Sequence, residues 1–285
     1  MRSYALGLYE KSMPNTLTLR EKLEAAKQAG FDYLELSIDE SPEKLERLNW
    51  TPEELQRLWL DQRQTGVPIR SICLSGHRSF PMGHPDPDVR QKSQEILEKA
   101  VNLASVLGIR LIQLAGYDVY YQPSTPETRQ LFAQGLSKAV AYAARYGVML
   151  GFETMETEFM NTVQKAMSWV NQIQSPYLQI YPDMGNLSNA ALLYDHDVCQ
   201  DIALGRGHLI AAHLKESRPG VFREVPFGEG HVDFSSVTRC CLKLGVRQFV
   251  GEFWYSRESS WEQVLTYNSR FLRNILDESI KDICL

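Results

Sequence analysis

The sequence has 285 residues, 44% of them hydrophobic, and its 30 basic and 35 acidic side chains leave a formal net charge of -5. That length buries a full core and suits one α/β barrel as well as two smaller domains, with a single domain over 1–285 as the expectation. The acidic balance gives no electrostatic ground for nucleic acid as partner, and no apolar run approaches the ~20 residues that crossing a bilayer requires. The five cysteines, Cys73, Cys199, Cys240, Cys241 and Cys284, lack CxxC spacing, and no charged-then-apolar leader opens the sequence; both features predict a soluble, cytoplasmic protein with reduced thiols.

In chain order, Tyr4 to Tyr9 is a first short apolar run, and Leu19 to Ala29 has helical spacing closed by Gly30. Tyr33 to Ser37 reads as a second strand. Thr51 followed by Pro52 opens a helix that runs to about Gln64 and stops at Gly66. Ile69 to Leu74 is the third strand. The Gly-, Pro- and His-rich loop from Ser75 to Asp88 exceeds the usual ~2–6 residues of a strand-to-helix connection, which suggests a functional segment or a lid. Helices at Val89 to Leu107, Pro126 to Tyr146, Thr162 to Ile173, Asn189 to Ala203, Phe234 to Leu244 and Trp261 to Leu276 then alternate with strands at Ile109 to Ala115, Val148 to Glu153, Leu178 to Tyr181, Leu209 to Leu214 and Phe249 to Phe253. Strict alternation with Val-, Ile- and Leu-rich strands implies a parallel sheet covered by helices, and eight such units predict a (β/α)8 TIM barrel.

Four of the later strands end in a side chain that can hold a metal: Glu153, Asp183, His213 and Glu252, spaced by 30, 30 and 39 residues. In such barrels functional groups gather at the C-terminal strand ends, so consecutive strands five to eight would bring these four to one point. A single acid at a strand end is ordinarily a helix cap or loop ion pair, and a single His is ordinarily structural; four on adjacent strands call for a common purpose. Three carboxylates and one imidazole suit Mn or Mg and tolerate Zn or Co, with positions left for substrate oxygens.

The segments FETMETEFMNT (Phe152 to Thr162), YPDMGNLS (Tyr181 to Ser188), HLKESRPGVFREVPFGEGHVDF (His213 to Phe234) and GEFW (Gly251 to Trp254) carry a family resemblance. They are similar to the motifs of the L-ribulose-5-phosphate 3-epimerases, also called L-xylulose-5-phosphate 3-epimerases, in the xylose-isomerase-like barrel superfamily. GHRSFPMG (Gly76 to Gly83) and LGLYEKSMP (Leu6 to Pro14) extend the resemblance over nearly the whole chain. It implies metal ligation by Glu153, Asp183, His213 and Glu252, a homodimer, and a place in pentose phosphate chemistry and L-ascorbate catabolism. Related ketose 3-epimerases carry a His three residues after the metal Asp and an Arg soon after the metal His; here those places hold Asn186 and Arg218.

Epimerising a ketose at C3 removes a proton α to the C2 carbonyl and returns one to the opposite face, which two facing bases accomplish. Glu153 and Glu252 are the expected acid/base pair, with a metal polarising the carbonyl and an enediolate between the two proton transfers. Arg218 is a candidate for charge at O2. For a 5-phosphate the expected contacts are His77 and Arg78, with Lys11, Lys215, Arg223 or the backbone amides of Phe227 to Gly230 as further candidates. Glu156, Glu158 and Glu229 could bind hydroxyls, Trp254 could roof the substrate, and His84, His196, His208 and His231 read as structural. Competing readings are an aldose–ketose or hydroxypyruvate-type isomerase, an abasic-site endonuclease, for which the charge and histidine count are unfavourable, and a non-catalytic sugar-binding barrel.

Overall fold

The computed structural model describes residues 3–256, 260–281 and 283, so Cys284 lies outside the described residues. Eight strands carry the fold: β1 (Ala5–Tyr9), β2 (Tyr33–Ile38), β3 (Ile69–Leu74), β4 (Leu111–Ala115), β5 (Met149–Glu153), β6 (Leu178–Tyr181), β7 (Ala212–Leu214) and β8 (Gln248–Gly251). Every pairing in their ladders is parallel, in the order β6-β5-β4-β3-β2-β1-β8-β7. Between β6 and β7 two parallel bridges, Ile180 to Leu209 and Asp183 to His213, stand in for a ladder and bring the barrel round on itself. The last of these joins two of the residues singled out above as metal ligands.

Period-two alternation sorts each strand between two apolar layers. Leu34, Leu36, Ile38, Ile112, Leu114, Leu150 and Phe152 point outward into the main core beneath the helices. Tyr9, Tyr33, Cys73, Leu111, Tyr181, Ala211 and Val250 form a second cluster that fills the barrel interior. Glu35, Glu153 and His213 share the inward parity, two residues on from Tyr33, from Gly151 and from Ala211.

Ten α-helices are found among the described residues: α1 (Leu19–Ala29), α2 (Pro42–Glu46), α3 (Pro52–Thr65), α4 (Pro87–Leu107), α5 (Pro126–Arg145), α6 (Val163–Ile173), α7 (Met184–Tyr194), α8 (Val198–Leu204), α9 (Phe234–Lys243) and α10 (Trp261–Lys281). Their ends follow local chemistry. Thr18 and Thr51 close capping boxes with Glu21 and Glu54, and Gly30 and Gly66 end those two helices at φ of 89° and 75°.

Two expectations about elements are corrected. The helix expected over Asn189 to Ala203 is two, because Asp183 caps a helix that starts at Met184 and Asp195, at φ 50°, ends it before Asp197 caps the next. The strand expected over Leu209 to Leu214 is regular only from Ala212, since its first part meets β6 through a single bridge.

Candidate metal centre and active site

Each of the four residues is delivered by the end of its strand. Glu153 is the last residue of β5, His213 lies within β7, Glu252 follows β8, and Asp183 follows β6 as the N-cap of α7. Their candidate donor atoms all lie within 4.8 Å of one another, and all four residues are buried. His213 Nδ1 sits 3.1 Å from Glu153 Oε1, 3.2 Å from Glu252 Oε2 and 3.9 Å from Asp183 Oδ2. Asp183 Oδ1 accepts the Asn186 amide at 2.7 Å, while its Oδ2 and Glu252 Oε2 are buried without a hydrogen-bond partner. Buried polar atoms are seldom left unpartnered, so two carboxylate oxygens converging on an imidazole nitrogen fit a divalent cation held by Glu153, Asp183, His213 and Glu252.

The crowding sets the protonation of the group. Burial and the neighbouring Glu252 raise the pKa of Glu153. Burial acts in the same sense on Glu252, but Lys215 and His213 outweigh it and hold that carboxyl well below the usual range. Burial opposes charge on His213 too, yet Glu252, Glu35 and Glu153 keep its pKa well above the ordinary value. Lys215 Nζ lies 3.2 Å from Asp183 Oδ1, 3.7 Å from Glu252 Oε2 and 2.9 Å from Asn186 Oδ1.

Above the four lies a cavity of about 140 Å³. Glu153 and Glu252 form part of its wall, with Asn186, Lys215, Met155 and Cys73 beside them. Lys11, Arg78, Arg223 and Glu156 also line it. Trp254 lines it as well, edge-on to Tyr9 at 6.2 Å. Arg223 pairs with Glu156 at 3.0 Å, Lys11 pairs with Asp39 at 2.5 Å, and the Arg78 guanidinium lies over the Tyr120 ring at 4.7 Å.

Three sequence expectations are not met at this cavity. His77 is buried with Nε2 3.1 Å from the Ser93 carbonyl of α4, and burial lowers its pKa to about 4, so the ring is neutral and turned to the helix. Arg218 is half exposed and pairs with Glu229 at 3.1 Å, outside the cavity wall. In the Phe227 to Gly230 run, the amide of Gly228 donates to Glu216 Oε2 and that of Glu229 to the Pro226 carbonyl, so neither is free for an anion.

Sequence reading passed over Glu35 and Gln113. The Gln113 amide makes a very short contact to Glu153 Oε2. Glu35 Oε1 lies 2.7 Å from His213 Nε2. Each is a polar residue between two aliphatic ones, Leu34-Glu35-Leu36 and Ile112-Gln113-Leu114, and that interruption of an apolar strand was the available signal.

A parallel (β/α)8 barrel whose C-terminal rim gathers three buried carboxylates and an imidazole beneath a small cationic cavity defines the class of protein. The model of the xylose isomerase-like TIM barrel family matches residues 23–275. The L-ribulose-5-phosphate 3-epimerase UlaE of Escherichia coli O139:H28 is 44% identical over 248 residues, 87% of this chain and 85% of its own. SgbU of E. coli K12, which carries the same designation provisionally, is 45% identical over 272 residues, 93% of each chain. Among solved structures, an L-ribulose 3-epimerase superposes with a TM-score of 0.77 at 17% identity, covering 98% of this chain and 97% of its own. A D-allulose 3-epimerase from Methylomonas sp., in complex with D-allulose, gives 0.77 at 16% identity over 95% and 96%; at these identities the likeness is one of fold. The chain belongs to the L-ribulose-5-phosphate 3-epimerase family, isomerase-class enzymes among the xylose isomerase-like TIM barrels.

Proposed function

We propose that this chain epimerises a ketopentose 5-phosphate at C3, interconverting L-ribulose 5-phosphate and L-xylulose 5-phosphate, with Glu153 and Glu252 as the acid/base pair. The observation that carries the reading is that both carboxylates line one cavity and approach the same imidazole nitrogen, at 3.1 and 3.2 Å, from strands β5 and β8. Glu153, Asp183, His213 and Glu252 would hold a divalent ion, Mn, Zn, Mg or Co, which when bound supplies Lewis-acid polarisation of the C2 carbonyl. One glutamate takes the C3 proton and the other returns a proton to the opposite face of the enediolate. Gln113 fixes Glu153 Oε2, which turns Oε1 to the cluster. Lys215, buried beside Asp183 and Asn186, takes the oxyanion role considered above for Arg218.

Lys11, Arg78 and Arg223, from the loops after β1, β3 and β7, offer the phosphate a cationic wall that neighbouring acids only partly neutralise. Asn186 contributes indirectly: its amide donates to the Thr154 carbonyl at 2.8 Å and its oxygen accepts from Lys215. The proposal extends to a single barrel domain over 1–285, working in the cytoplasm in L-ascorbate catabolism as a homodimer. Free thiols at Cys73, Cys199, Cys240 and Cys241 support a reducing compartment. The exposed Leu192 and Leu193 are side chains that a second copy would cover.

The test is to supply L-ribulose 5-phosphate with Mn, Mg, Zn or Co and follow the sugar by NMR. L-Xylulose 5-phosphate is the expected product. An aldose phosphate, or no turnover with any of the four ions, rejects the reading.

A further inference from the structure

We infer that Glu35 is a positioning residue for His213: it holds the Nε2–H of the imidazole, so that Nδ1 is the atom presented to the metal. The inference rests on reading the four-residue cluster as a metal centre. Glu35 comes from β2, on the other side of the barrel from the strands that carry the cluster, and is fully buried. Its inward parity sends the carboxylate across the interior. Oε1 meets His213 Nε2 at 2.7 Å, and Oε2 accepts from the Ser71 hydroxyl at 2.7 Å and the Tyr181 hydroxyl at 3.0 Å.

The Ser71 and Tyr181 hydroxyls hold the carboxylate in place from β3 and β6, and a carboxylate oxygen, which accepts, is matched at 2.7 Å by a proton on Nε2. An imidazole with a proton fixed on Nε2 offers a lone pair at Nδ1. That nitrogen is the one facing Glu153, Glu252 and Asp183. The Tyr181 ring packs against the imidazole at 4.6 Å with an interplanar angle of 62°, which resists rotation of the ring. One tyrosine thus orients both the histidine and the carboxylate behind it. Ligating histidines that lose such a partner typically bind metal about 10–100-fold more weakly.

Zinc chloride serves as a diamagnetic probe, read by calorimetry and by nitrogen-15 spectra of histidine-labelled protein, with the His213 signal assigned by its loss in His213→Asn. Zinc-loaded wild type is expected to show Nε2 protonated and Nδ1 ligated. Glu35→Leu should weaken zinc binding by about 10–100-fold and no longer fix a single ligated tautomer, giving signals for both Nδ1- and Nε2-bound His213, while Glu35→Gln, which retains an acceptor oxygen, should lose less affinity. Coordination through Nε2 in the wild type overturns the inference, as does wild-type zinc affinity and tautomer in Glu35→Leu. Should Glu35→Leu fail to fold, the wild-type spectrum and Glu35→Gln decide alone. A wild type that takes up no zinc, manganese, magnesium or cobalt removes the metal reading itself, an outcome distinct from a metal-loaded protein indifferent to Glu35.

Discussion

A carboxylate that moves a proton on carbon needs an oxygen turned to the substrate, and Glu153 and Glu252 both have their ends at the cavity wall. Glu153→Gln and Glu252→Gln should each lower kcat by about 10²–10⁴-fold. Metal content measured on the same samples separates loss of the base from loss of a ligand, and near wild-type kcat in either variant would refute the two-base scheme. Arg223→Ala removes one cavity cation without touching the cluster, so KM for the sugar phosphate should rise about tenfold with kcat little changed. A steady-state comparison checks this. The four cluster residues were legible in the sequence because each closes an apolar run, where a metal-competent side chain stands out. Glu35 and Gln113 stood out only as single polar residues in apolar strands, because strands buried on both faces show no polar side from which inward parity could be read. His77 and Arg218 were misplaced for another reason. Both sit in loops, where side-chain direction depends on tertiary partners, here Ser93 and Glu229.

At the scale of elements, the N-terminal strands are fixed by two buried features. A Cβ at Gly7 would come 2.4 Å from the Tyr33 ring, which is buried and donates its hydroxyl to the Phe249 carbonyl at 2.9 Å. Gly7→Ala should therefore cost about 1–3 kcal/mol, read from denaturant unfolding. Glu10, just after β1, accepts from Lys22 at 2.8 Å, Lys44 at 2.5 Å and Arg47 at 2.5 and 2.8 Å, and so joins α1 and α2 to the sheet. Burial alone would raise its pKa, but Arg47, Lys22 and Lys44 hold it well below the usual carboxylate range. On the cationic side, burial and the repulsion of Arg47 and Lys22 bring Lys44 down to about 8 despite Glu10, as three cations crowd one carboxylate.

Because the folded pKa of Glu10 is depressed, its contribution is fully present above the unfolded value of about 4.3 and is lost as pH falls below it. Glu10→Gln should destabilise the protein by about 3–5 kcal/mol at pH 7, and the gap to wild type should narrow only below about pH 4. A gap independent of pH would show that the ion cluster is not its source. The helices with capping boxes and glycine stops were readable in advance. The early start of α7 turned on Asp183 acting as an N-cap as well as a cluster residue, two roles that one sequence position does not advertise.

On the scale of the whole molecule, the barrel closes where the four-residue cluster lies: the Asp183–His213 bridge is part of the seam between β6 and β7. A cation bound there would tie the seam. Chelation should abolish activity and lower the unfolding temperature, and an ion at 100 times its Kd should restore about 2.7 kcal/mol of stability. Thermal unfolding with and without added manganese measures this. The alternation that predicted eight units was legible because each strand is short, apolar and separated by an amphipathic helix. The form of the closure was not, since the isolated bridges through which β6 and β7 meet, in place of a ladder, leave no pattern in the sequence.

The proton that moves can be located directly. With L-ribulose 5-phosphate and metal-loaded protein in D2O, deuterium should appear at C3 of both ketose epimers, while the C1 protons exchange no faster than in a protein-free control. Deuterium at C1 with an aldose phosphate as product, or interconversion of the epimers with no solvent label at C3, would contradict proton transfer by Glu153 and Glu252.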